Sequence, residues 1–290
     1  MYLSPENTKI LISCHKACEL PADDFFLPVE AGSALKSEKI GFQCDDECMG
    51  QECDNISRKN MHYCELTVLY WAWKNIRKVY PSLEYIGLNH YRRFFIFGKT
   101  ARRTTSIEYE KLSDIKLPLT PENISLEKNT IITPRDTIFS TSLYVHYCTH
   151  HYSEDYRILR NSIKELYPDY YDSFIHVFEK NYILLPYNMF IMSFDIFEDY
   201  CEWLFNILKD VESKSIYKSY NQYQQRIFGY MSERLFNVYI HQKKIKIKQY
   251  PIAFINPEKA FYIHKNSIKS IFKNAIRELL VRIRDFKSKS

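Results

Sequence analysis

Four consecutive polar residues, His90, Tyr91, Arg92 and Arg93, interrupt the apolar run YIGLNHYRRFFIF (85–97). A guanidinium is permanently charged and offers forked donors, so two in succession suit a phosphate or pyrophosphate group. Surface ion pairing is the other use the spacing allows. A second polar pair, His15 and Lys16, ends the apolar run KILISC (9–14) in the same way. Two further clusters have metal-ligand residue types. His146 and His150 stand one helical turn apart, and Cys44, Cys48 and Cys53 flank Asp45 and Asp46. Neither completes a metal pattern: HExxH and CxxC are both missing, so structural or substrate-contacting histidines and incidental thiols are expected. The GxGxxG and GxxxxGKS/T fingerprints are also missing, which leaves a Rossmann dinucleotide site and a P-loop without support.

The elements that must position these residues alternate between strand and helix. KILISC reads as a buried strand. A helix is expected from Ser57, as N-cap, to about Lys78, with Met61, Cys64, Val68, Ala72, Ile76 and Val79 at helical spacing. Pro81 closes it and LEYIGL (83–88) follows as a second strand. Strand, helix and strand in this order predict an α/β fold with a mostly parallel sheet. Residues 99–129 read as a polar loop, and 130–134 as a strand. A helical region follows from about Leu143 to Glu179, interrupted at Pro168. NYILLPYNMFIMS (181–193) reads as a strand, and 197–213 as an amphipathic helix. A last helix is expected over 226–242, preceded by a glycine turn. Trp71 and Trp73 fall at helical spacing and read as core rather than as a base-stacking pair. In open α/β sheets ligands sit beyond the carboxyl ends of strands, where both polar clusters fall.

With 290 residues and 46% apolar content, the chain can bury a large core. No run of about 18 apolar residues occurs, and the N-terminus lacks a signal-peptide pattern, so a cytoplasmic location is expected. The eight cysteines then read as reduced thiols. Between Lys265 and Ser290, eight Lys or Arg face only Glu278 and Asp285, a balance of +6 that leaves −1 for the rest of a +5 chain. Within that tail Ile268, Ile271, Phe272, Ala275, Ile276, Leu279, Leu280 and Ile283 form one apolar stripe ringed by cations. Such a helix can lie on an anionic membrane, or pack as an ordinary terminal helix.

The segments DNISRKNMHYCELTVLYWAWKN (54–75), YIGLNHYRRFF (85–95), YNMFIM (187–192), YCEWLFNIL (200–208) and RIFGYMSERLFNVYI (226–240) resemble domain-of-unknown-function family 4422. That family is associated with bacterial capsule and O-antigen synthesis. The resemblance runs from about Lys9 to Pro251. It implies a GT-A-like glycosyltransferase domain over 1–255, with residues 256–290 as a basic amphipathic extension. It further implies a glycosyltransferase that adds one sugar, galactofuranose from UDP-galactofuranose with inversion, to a surface polysaccharide. UDP-galactopyranose and UDP-glucose are alternative donors. A lipid-linked oligosaccharide would be the acceptor, and the tail would rest on the inner face of the cytoplasmic membrane.

The GT-A layout also implies site roles. His15, Lys16, Asn60, His90, Arg92 and Arg93 would hold the donor, and Asn188 and His150 would contact sugar hydroxyls or the acceptor. Glu233 or Asp155 would be the base. The Asp-x-Asp pair that grips a divalent ion in that layout is replaced by Asn89, His90, Tyr91, Arg92 and Arg93. Fixed guanidinium charge would then stand in for the metal at the departing diphosphate, so no cofactor is required. A Mn²⁺ or Mg²⁺ ion held by His90 or by a distant acid is the other option. A non-enzymatic rival, nucleic-acid binding through the basic tail, lacks any recognition motif, and no nucleic-acid partner is expected.

Overall fold

The computed structural model describes residues 2–101, 103–258 and 261–265. At its centre β1 (Thr8–Cys14) runs parallel to β2 (Phe26–Glu30) on one side and to β3 (Tyr85–His90) on the other. Ile10, Leu11, Ile12 and Cys14 are all completely buried, because both faces of the sheet are covered. That is why the strand reads as a continuous apolar run rather than an alternating one.

After β2 come a short helix α1 (Asn60–Tyr63) and the longer α2 (Leu66–Val79). β3 then turns through Tyr91 and Arg92 into β4 (Arg93–Phe95), followed by β5 (Thr104–Tyr109) and β6 (Thr130–Pro134). Helices α3 (Leu143–His150), α4 (Ser153–Leu166) and α5 (Tyr171–Ile175) lead to β7 (Phe190–Ser193). The chain continues through α6 (Phe194–Lys214), α7 (Ile227–Lys243), β8 (Lys246–Tyr250), β9 (Ile252–Ile255) and β10 (Tyr262–Lys265). One sheet of eleven strands collects all ten of these strands and the two-residue strand Gln43–Cys44. β7 is antiparallel to β3 and β6, while β8 is parallel to β6. At the His90–Arg93 turn the sheet forks, and β4, β9, β5 and β10 form the second branch. Apolar clusters fill both faces: Leu88, Trp71, Phe190, Leu204 and Phe236 on the helical side, Ile10, Ile12, Phe94, Phe95 and Ile191 on the other.

Several local expectations are corrected. The helix expected from Ser57 to Lys78 is broken, with Cys64 at φ 53° between α1 and α2. Ser57 caps no helix; its hydroxyl accepts from the Ala34 amide at 3.0 Å and donates to Asp45. Asp45 is wholly buried and also takes the Gly32 and Ser33 amides at 2.8 and 3.0 Å, a long-range demand that outweighs helix spacing. Residues 99–129 are not all loop, since β5 lies among them. The stretch 181–193 is not one strand either: Tyr187 and Asn188, at φ 73° and 53°, bend the chain before β7. No glycine turn precedes α7, because Gly229 lies inside it. The sheet also continues past residue 255 through β10. The amphipathic stripe from Ile268 to Ile283 lies outside the described residues. Among the described residues, no helix is long and apolar enough to cross a membrane.

Candidate active site

A cavity of about 760 Å³ opens beyond the carboxyl ends of β1 and β3, walled by the α1–α2 junction and the first turns of α7. The size falls within the ~300–1,000 Å³ of small-molecule sites. Three guanidiniums line it: Arg92 in the β3–β4 turn, Arg93 at the start of β4 and Arg226 at the start of α7. None of the three takes part in a salt bridge among the described residues. Aromatic rings and a thiol position them instead. Arg93 lies over the Tyr187 ring at 4.7 Å and the Phe254 ring at 5.0 Å, Arg92 lies over Tyr91 at 5.0 Å, and Arg226 Nε donates to Cys64 Sγ at 3.2 Å. Arg93 Nε is buried and has no hydrogen-bond partner among the described residues. A buried donor left open at a cavity wall is a place where a ligand acceptor would complete the bonding.

The Tyr187–Asn188 bend builds the floor. His90 Nε2 donates to the Tyr187 carbonyl at 2.6 Å, and the Tyr187 amide donates to Glu233 Oε1 at 2.6 Å. Asn188 Nδ2 donates to Glu65 Oε1 at 2.7 Å and to Ser232 Oγ at 2.9 Å, while its own Oδ1 is buried without a partner among the described residues. These bonds hold two consecutive left-handed residues that would otherwise be strained. Burial pushes the Glu233 carboxyl up, with the Arg234 guanidinium and the Tyr187 amide only partly opposing it. Burial likewise pulls the His90 imidazole down, which favours its neutral form. The result is a carboxylate readier to accept a proton than an exposed glutamate.

The opposite wall depends on Gly32. At φ 68° it occupies the left-handed region, and a Cβ there would meet Asn60 Cβ at 2.7 Å. Asn60 is thereby free to sit against the loop, with its Nδ2 donating to the Cys64 carbonyl at 2.8 Å and to Thr67 Oγ1 at 3.0 Å. His15 completes this side edge-on to Tyr91, ring centroids 4.6 Å apart.

Comparison with known proteins gives two matches. The model of the family described as domain of unknown function (DUF4422) matches residues 9–244. The chain belongs to this family. It is also similar to the apo structure of WbbM, a bifunctional glycosyltransferase, with a TM-score of 0.75 and 29% identity over 90% of this chain. The match takes in 46% of the WbbM chain, so this DUF4422 protein spans about half its length. No curated protein matches. The likeness fits a GT-A-like α/β fold.

Of the residues expected from sequence, the structure brings His15, Asn60, His90, Arg92, Arg93, Asn188 and Glu233 to the one cavity. Three others stay outside its lining. Lys16 is exposed and stands over the Tyr91 ring at 5.7 Å. His150 is exposed on α3, its Nδ1 donating to the His146 carbonyl at 2.8 Å. Asp155 is 2% exposed and accepts from Ser215 Oγ at 2.9 Å and the Tyr220 hydroxyl at 3.0 Å, so it anchors the segment after α6.

Glu65, Arg226, Tyr187 and Tyr230 line the cavity without having been singled out. Arg226 carried a readable signal, since Arg226, Tyr230 and Glu233 recur at intervals of four and three. Glu65 carried one as well, since on the expected helix it stands four residues after Met61 and three before Val68, an acid on the apolar face.

Two carboxylates, Glu65 and Glu233, line the cavity, each with one oxygen bonded by Asn188 Nδ2 or by the Tyr187 amide, and His90 Nε2 bonds a carbonyl. Among the described residues, three metal-capable side chains converge only at Cys44, Asp46 and Glu47, outside the cavity.

Proposed function

We propose that this DUF4422 protein is a nucleotide-sugar-dependent glycosyltransferase of bacterial surface-polysaccharide synthesis. The observation that carries the reading is the convergence of three guanidiniums without salt bridges among the described residues, and one carboxylate raised by burial, in a single cavity at the strand ends. The likeness to WbbM supports the same class of chemistry. The donor is UDP-galactofuranose and the transfer inverts the anomeric carbon; UDP-galactopyranose and UDP-glucose are the competing donors. The acceptor is the growing end of a lipid-linked oligosaccharide.

In this reading Arg92, Arg93 and Arg226 take the donor diphosphate, with His15 and Asn60 beside it. Glu233 accepts the proton of the acceptor hydroxyl as that oxygen bonds to the anomeric carbon and the bond to the diphosphate breaks. Charge that develops on the leaving UDP is met by guanidiniums already fixed in place by rings and a thiol, so little reorganisation is needed. The amide of Tyr187 holds Glu233 Oε1 and Arg234 Nη1 stands 3.8 Å from Oε2, so the carboxylate is oriented from both sides.

A thermal-shift titration with UDP, UDP-galactose and UDP-galactofuranose, each with Mn²⁺ and with EDTA, tests the proposal. A ligand that binds the native state raises the melting temperature. Stabilisation that survives EDTA and is lost in Arg92→Ala and Arg93→Ala is the expected outcome. Stabilisation only with Mn²⁺ would transfer the diphosphate role from the arginines to an ion. No shift with any nucleotide would overturn the proposal.

A further inference from the structure

The outer wall of the cavity continues into a strip of aromatic rings that donor binding does not use. Tyr230 lines the cavity and its ring stacks on His151 at 4.2 Å and 25°. On to the next ring, His151 lies nearly parallel to Tyr223, 6.2 Å away at 17°. Tyr223 is 57% exposed, and it follows Gln222, itself a cavity residue. Beside this row Tyr152, 45% exposed, packs on Tyr220 at 4.3 Å.

These rings are held in place. Gln224 clasps the end of α3, donating to the His150 carbonyl at 2.7 Å and accepting from His151 Nδ1 at 2.9 Å. Asp155 fixes Tyr220 from below. Burial pulls His151 down to about 4, so at neutral pH the strip carries no charge of its own. Rigid aromatic faces that are apolar across the ring and polar at the edge suit sugar rings, whose C–H faces stack while their hydroxyls hydrogen-bond at the rim.

We propose that this strip is the acceptor subsite, binding an oligosaccharide of at least two sugar units with its terminal unit on Tyr230 and the preceding one toward Tyr223. The register supports it. Tyr230 stands one helical turn before Glu233 on the same face of α7, about 4.5 Å along the axis. A sugar resting on Tyr230 therefore presents a hydroxyl to Glu233, and the rest of the chain leaves along the exposed rings. The inference rests on the glycosyltransferase reading and names the acceptor side of its site.

The test is an array of bacterial surface-polysaccharide fragments probed with the full-length protein, its Tyr152→Ala/Tyr223→Ala double variant and Tyr223→Phe. Each protein is also titrated with UDP by thermal shift. Expected is a glycan signal that falls at least tenfold in the double variant and survives in Tyr223→Phe, with the UDP shift kept in all three. Equal glycan binding by the double variant, or no glycan bound by the parent protein while UDP still stabilises it, overturns the acceptor subsite alone. Absence of the UDP shift in the parent protein marks failure of the underlying reading instead.

Discussion

Glu233 combines a raised carboxyl with a fixed orientation, and both properties lead to measurable consequences. As the base it must be ionised, so kcat/KM falls on acidification with a midpoint above the ordinary 4.5. Glu233→Gln keeps the acceptor for the Tyr187 amide but cannot take a proton. It is expected to lower kcat by about 10²–10⁴-fold, with UDP binding unchanged in the thermal shift. The sign for stability follows from the same burial. A carboxyl whose folded pKa is raised contributes most below its unfolded value, and that contribution is lost as pH rises through the folded value. Raising the pH through the folded value should therefore lower the melting temperature of the parent more than that of Glu233→Gln, and parallel profiles would refute the burial argument. For Arg93, loss of a charge-assisted hydrogen bond worth ~1.5–3 kcal/mol predicts roughly 10–100-fold weaker UDP binding in Arg93→Ala, measured by calorimetry.

At the scale of elements, the donor wall depends on the loop after β2 more than on any helix. Gly32 occupies a left-handed conformation directly against Asn60. Gly32→Ala both strains the backbone and collides with that side chain, so a loss of more than about 1 kcal/mol is expected in denaturant unfolding. Because Asn60 must also shift, UDP affinity falls in the same variant; unchanged affinity would remove Asn60 from the donor site. Asp45 ties this loop to the residues before α1, and its position was not readable from sequence. The stretch from Ser57 to Lys78 has good helical spacing, yet Asp45 draws Ser57 away as a buried partner and Cys64 breaks the helix. Spacing reports which face is apolar; it does not report where a distant carboxylate collects its donors.

For the whole molecule, the packing of α3 against α7 sets an acid limit. Burial, reinforced for His146 by the Arg234 guanidinium, holds His146 and His151 down to about 4. A base with a depressed folded pKa stabilises above its unfolded value and loses that contribution as pH falls through the folded one. Melting temperature should therefore drop between about pH 6.5 and 4. His146→Gln, which can still accept from Arg234 but does not titrate, should flatten that drop; an identical profile would sink the assignment. At the other end of the chain, the basic excess of residues 265–290 predicts salt-sensitive binding to anionic vesicles. Replacing Lys269, Lys273 and Arg277 by Glu in the full chain should abolish it while leaving the UDP shift intact.

The sequence by itself determined the alternation of apolar strands and amphipathic helices, because burial on both faces of a sheet leaves a continuous apolar signature. It also put His15, His90, Arg92 and Arg93 at the strand ends beside the cavity, since a polar cluster that ends a buried strand must emerge at the sheet's carboxyl edge. Only the tertiary structure decided which carboxylate stands opposite those cations. Glu233 and Asp155 are both acids near helix starts, but one faces the cavity and the other is consumed by Ser215 and Tyr220, more than fifty residues away in sequence. It likewise decided that the α7 wall runs on into exposed tyrosines. Such choices depend on contacts between segments far apart in the chain, and no local pattern of residues encodes them.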